Sequence, residues 1–153
     1  VDLNPSGYNF SYCLGVHLGE QVGYAQNQSY FVTASHAYCW HGSAASGVDL
    51  HPATTYPYSR ALGCHDGEEV GYVSSLAYPD GDSVGYHATS LAVRWNGTAA
   101  SAVGLHPFGF DASEATCTSG LQQGGWGYLA LGTSHQHAML WSGDAASDRS
   151  LGR

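Results

Sequence analysis

The chain has 153 residues, the length of one ordinary domain, and its 21 glycines and 12% aromatic residues favour short strands and tight turns over long helices. It has no Lys, and four Arg against twelve acidic residues leave a formal charge of −8, which repels a phosphate backbone and provides no basic patch for an anionic membrane surface. No apolar run approaches the roughly 18 residues of a membrane helix, so nucleic acid and membrane insertion are both set aside as partners.

In chain order, the first signal is Val1-Asp2-Leu3-Asn4-Pro5, which returns as Val48-Asp49-Leu50-His51-Pro52 and Val103-Gly104-Leu105-His106-Pro107. A turn-and-strand signal follows each time: Gly19-Glu20-Gln21-Val22-Gly23-Tyr24, then Gly67-Glu68-Glu69-Val70-Gly71-Tyr72, then the altered Gly124-Gly125-Trp126-Gly127-Tyr128. Next come His36-Ala37-Tyr38-Cys39-Trp40, Leu91-Ala92-Val93-Arg94-Trp95 and His137-Ala138-Met139-Leu140-Trp141, each followed by Ala-Ala-Ser. Period-two alternation bounded by glycine predicts strands joined by hairpins. In the second copy they are expected near 59–64, 69–74, 90–95 and 100–106, with Asp66-Gly67 and Asn96-Gly97 as turns.

These lines predict an all-β chain of three tandem four-stranded antiparallel units, drawn at about 1–47, 48–102 and 103–153, in a single repeat domain. One unit cannot bury both faces of its sheet, so copies must pack on each other. Trp40, Trp95 and Trp141 are the expected packing anchors, because each indole can bury a large apolar area between neighbouring sheets. Trp126 stands outside the pattern. The third unit ends on a fourth-strand segment of its own, which leaves residues 1–5 as a surplus strand able to latch a ring or complete a neighbouring chain.

The order Gly-x-x-Val-Gly-Tyr, His-Ala-x-x-Trp-x-Gly and x-Asp-Leu resembles the HAF family of extracellular repeats over nearly the whole chain. That resemblance implies β-propeller-like blades in a secreted or surface protein, and no catalytic residues. Leu91 in place of His and the Trp126 version of the second strand depart from the pattern. Propellers normally have four to eight blades, so three copies suggest pairing of two chains or a piece of a longer array, or instead a closed threefold β fold such as a trefoil or prism.

Candidate chemistry is sparse. Gly81-Asp82-Ser83-Val84-Gly85 fits the serine-hydrolase pattern but lacks the following helix, and reads as part of a loop extension over 78–87. His51 and His106 recur before Pro, and His135 and His137 share a strand face, which makes these four the metal-ligand candidates. His36 and His137 head equivalent strands, and a repeated structural hydrogen bond is expected of them. Glu68 and Glu69 point to opposite faces and are expected as solvated turn residues, as are Asp80 and Asp82. Cys13, Cys39, Cys64 and Cys117 allow two disulfides in three pairings, or buried free thiols.

The expected function is therefore non-enzymatic: an extracellular or cell-surface repeat module for binding or adhesion, lectin-like, with a glycan or surface ligand. The alternative is a self-assembling subunit of a surface layer, sheath or fibre, whose partner is itself as a dimer or larger assembly. A metal-binding protein or hydrolase is the remote reading. No cofactor is expected.

Overall fold

The computed structural model describes residues 1–27, 34–75, 90–129 and 135–150, the last residue by its backbone alone. The hydrolase-like motif at 81–85, the loop over 78–87 with Asp80 and Asp82, and residues 151–153 of the last strand lie outside these residues.

The chain is all-β, with its strands in two sheets. Three antiparallel meanders follow one another: β1 (Phe10–His17), β2 (Glu20–Gln26), β3 (Ser35–Trp40) and β4 (Val48–Asp49); β5 (Tyr58–His65), β6 (Glu68–Ser74), β7 (Ser90–Trp95) and β8 (Val103–Gly104); β9 (Ala112–Thr118), β10 (Gln123–Leu129), β11 (His135–Trp141) and β12 (Arg149–Ser150). The first two meanders form one sheet only through a single parallel bridge, Ser35 to Tyr58.

The turns follow from their residues. Asp66 and Gly67 both have positive φ, 50° and 80°, the backbone that a two-residue hairpin with the right-handed twist of its strands requires. The fourth strand is shorter than the alternation suggested, because each Ala-Ala-Ser forms a 3-10 turn first: Ala44–Ser46, Ala99–Ser101 and Ala145–Ser147. In each turn the Ser hydroxyl accepts the backbone N–H of the residue after the Trp, at 2.7 Å for His41, Asn96 and Ser142. That bond folds the turn down beside the indole.

The register is common to the three meanders. Gln21, Glu69 and Gln123 lie opposite Trp40, Trp95 and Trp141. Trp126 lies opposite Ala138 as Tyr24 does Ala37 and Tyr72 does Ala92, so it is the third copy of that tyrosine rather than an outsider. A register shift in each first pairing falls beside the glycine of Val-Gly-Tyr or its counterpart.

The three Trp side chains are fully buried. Val22, Ala37, Cys39 and Leu50 from one side of the first meander pack with Ala61, Val73, Val93 and Trp95 of the second. Val70, Ala92 and Leu105 of the second pack in the same way with Phe110, Ala115, Met139 and Trp141 of the third. Trp40, Tyr38 and Ala25 are covered instead by Leu3 and Tyr8. The surplus N-terminal segment thus does for the first meander what Leu50 does for the second. Each meander therefore has a front face, which receives the next meander, and a back face carrying its Trp.

Candidate functional site

The front-on-back contact is tied by a repeated polar staple. Ser59, fully buried on β5, accepts the N–H of Ala37 at 2.9 Å, and its hydroxyl lies 2.8 Å from His51 Nδ1. Ser113 on β9 repeats this with Ala92 N–H at 3.0 Å and His106 Nδ1 at 2.8 Å. His106 Nε2 also contacts Phe110 O at 3.1 Å. A buried Ser next to a His resembles part of a hydrolase triad, but its oxygen is taken up by a backbone amide and no solvent reaches it, so the pair serves the joint between meanders.

His51 and His106 therefore sit in separate joints, each engaged by its own serine. His135 and His137 meet edge to face, 6.3 Å between ring centroids. Among the described residues, the groups spaced to hold a metal ion are His17 with His65 and Asp66, and Glu20 with Cys39 and Glu69, so neither uses any of those four histidines. His36 forms hydrogen bonds with Asp49 Oδ2 at 2.7 Å and the Tyr8 hydroxyl at 3.1 Å. His137 meets the edge of the Phe110 ring instead, because Phe110 stands three residues after Pro107, as Tyr8 does after Pro5, and has no hydroxyl.

At the hairpin ends, His17 and His65 stack at 4.1 Å and both face Asp66, with His17 Nε2 3.1 Å from its Oδ1. Deeper in the same joint, Glu20, Glu69 and Cys39 offer ligand atoms within 4.8 Å of one another, all buried. The expectation of solvated glutamates is corrected at Glu69, which has no exposed surface. Being at the mouth of a hairpin, it is carried under the loop that follows β7 of its own meander, where the Gly97 N–H donates to both carboxylate oxygens. Burial and the facing Glu20 hold its carboxyl well above the usual range. Burial likewise pushes the Cys39 thiol up to about 12 and that of Cys64 to about 11. All four cysteines are free.

The ends of the stack differ from its interior. On the third front face, Ala138 is exposed, although Ala37 and Ala92 at the same register are fully buried. On the first back face, Cys13 is exposed and Val16 is 71% exposed, whereas Ala61 and Ala115, equivalent to Cys13, are fully buried. Sequence alignment alone gives no hint of this difference, since the three copies look alike.

Glu114 supplies a pH dependence. Desolvation pushes its carboxyl up to about 7, with the Ser90 hydroxyl and the Arg60 charge pulling the other way. The folded chain then holds this proton more tightly than the unfolded chain, so the stability it contributes is fully present below about 4.5 and is lost as pH rises to about 7. His51 and His106, whose burial lowers both, act in the opposite sense and lose stability as pH falls below 6.5. The informative measurement is therefore a difference: urea unfolding of Glu114→Gln against wild type is expected to lack about 2 kcal/mol of the decline between pH 5 and pH 7. Parallel curves would rule out this role for Glu114.

Comparison with family models, with curated proteins and with solved structures found no match.

Proposed function

We propose that the chain is a non-enzymatic repeat module of the cell exterior, a run of propeller-like blades that associates with a second copy of itself. The observation that carries this reading is the front-on-back contact, made twice within the chain by the same register positions. The exposed third front face and first back face offer those positions once more. Ser11 holds the register of Ser59, and Ala138 that of Ala37 and Ala92. In the assembly, Ser11 Oγ of one copy would accept the Ala138 N–H of the other.

A contact between unlike faces either closes a ring or runs on into a filament. Two copies of three meanders give six, within the four to eight blades of propellers, so a closed dimer is the form proposed. The resemblance to HAF-type repeats supports the extracellular setting.

Mass measurement in dilute solution tests this. The expected species has twice the 16.1 kDa of one chain, and Ala138→Arg, which sets a charge into the contact without touching the interior, is expected to release a monomer that keeps the far-ultraviolet circular dichroism of the wild-type fold. A wild-type chain that stays monomeric at micromolar concentration would overturn the reading, and open-ended filaments would overturn ring closure.

A further inference from the structure

The two joints inside the chain have the same architecture but different polar chemistry at one place, and the difference is informative. In the second joint the carboxylate is Glu68, the residue that opens β6. It accepts from Gln123 Nε2 at 2.8 Å and from the Thr118 hydroxyl, and Arg94 Nη1 lies 3.7 Å from its other oxygen. The negative charge is matched by a guanidinium and satisfied by two neutral donors.

The register carries each of these positions back to the first joint. Glu20 corresponds to Glu68, lying opposite His17 as Glu68 lies opposite His65. Cys39 corresponds to Arg94, each next to its Trp and opposite Val22 or Val70. Glu69 corresponds to Gln123, opposite Trp95 or Trp141. Cys64 corresponds to Thr118, opposite Glu69 or Gln123.

Around one conserved carboxylate position, then, Arg has become Cys, Gln has become Glu and Thr has become Cys. The cation of the second joint is gone, a second carboxylate has been added, and every substituted residue is a metal ligand. Among the described residues no Arg forms an ion pair with Glu20 or Glu69; the N–H groups of Gly67 and Gly97 donate to them and the two carboxyl groups hydrogen-bond to each other. Two carboxylates buried together without a counter-charge are costly, whereas a divalent cation between them would supply the charge that Arg94 supplies elsewhere.

We propose that the first joint is a metal site, in which Glu20, Glu69 and Cys39, with Cys64 beside them, hold a divalent cation of the zinc type. Their ligand atoms lie within 4.8 Å of one another for the first three, and Cys64 packs against the same buried cluster, its Sγ 4.0 Å from Glu20 O. Carboxylate and thiolate together suit zinc, a borderline-soft ion, over calcium or magnesium, which take oxygen alone. The ion would join a carboxylate and thiolate of the first meander to a carboxylate and thiolate of the second, so its role is to lock that joint. This goes beyond the assembly reading and does not depend on it.

The test uses cobalt(II) as a spectroscopic substitute, with the reduced full chain refolded in its presence because the site is closed to solvent. One equivalent is expected to bind, with the visible bands of tetrahedral cobalt and a near-ultraviolet thiolate-to-cobalt charge-transfer band. Cys39→Ser/Glu69→Gln is expected to weaken binding by more than about a hundredfold, beyond the loss typical of an outer-shell partner. His17→Ala, at the neighbouring cluster, is expected to leave the spectrum unchanged. Cys39→Arg/Glu69→Gln rebuilds the chemistry of the second joint, and is expected to fold without metal and to lose the thermal stabilisation that zinc gives wild type. A folded wild-type chain without the charge-transfer band, or a band lost with His17 and kept without Cys39, would overturn the proposal.

Discussion

Replacing Trp95 by alanine is expected to remove about 3–5 kcal/mol of folding stability, the range of large aromatic truncations in a closed core. The side chain has no exposed surface and packs among Val22, Ala37 and Leu50 of the first meander and Ala61, Val73 and Val93 of the second. Its removal leaves a void that neither sheet can fill, since each is fixed by its own ladder. Total stability for a domain of this size is on the order of 5–15 kcal/mol, so the loss is a large share of it and shows as a clear fall in the urea midpoint. Urea unfolding followed by far-ultraviolet circular dichroism measures the loss. Trp95→Phe is expected to recover more than half of it. A change below about 1 kcal/mol for alanine would show that the joint is held by something other than the indole.

Gly71→Ala is expected to cost at least as much as an overpacked core position, on the order of 3 kcal/mol, though it adds a single methyl group. A Cβ at this position would lie 1.9 Å from Arg60 O, 2.9 Å from its carbonyl carbon and 3.0 Å from Ala61 Cα. These are backbone atoms of the paired strand, next to the register shift between Ala61 and Gly63, so no rotamer change relieves the clash and the β5–β6 ladder must open. Gly23 and Gly125 meet the same obstacle, at 1.7 Å from Tyr12 O and 2.0 Å from Glu114 O. The control is Gly67→Ala, where nothing lies within 4 Å and only the positive φ resists, at about 1–2 kcal/mol. Equal losses at the two sites would sink the steric explanation.

The same glycine illustrates how far local reading extends. Val-Gly-Tyr stands out in the sequence as a motif, but its requirement comes from a strand that crosses it at a bulge, and a bulge is a property of a pair. The histidines make the point for the candidate site. Their recurrence before Pro suggested convergence on one metal, whereas each is turned toward the serine of the following strand, within eight residues of it and in a separate joint, and His51 stacks on His36 at 4.2 Å instead of meeting His106. The groups that do meet, Glu20, Cys39 and Glu69, come from three strands in two meanders. Comparing Cys39 with Arg94 in the repeat alignment was the one available signal for them, and it carries meaning only once both residues are known to face a glutamate.

By itself the sequence determined the three longer strands of the second unit, the Asp66-Gly67 hairpin turn and the three buried indoles, because alternation, positive-φ turn residues and large apolar side chains act over a few neighbouring residues; Asn96-Gly97, expected as a second such turn, leads instead into the 3-10 turn Ala99–Ser101, and only Gly97 of the pair has positive φ. The tertiary structure alone decided which face of each sheet is covered, that the N-terminal segment caps the first back face, that Glu69 is buried, and that the third front face is left open. Those outcomes depend on contacts between residues some twenty to fifty positions apart, where burial and charge are set by the partner sheet and three nearly identical repeats acquire different surroundings.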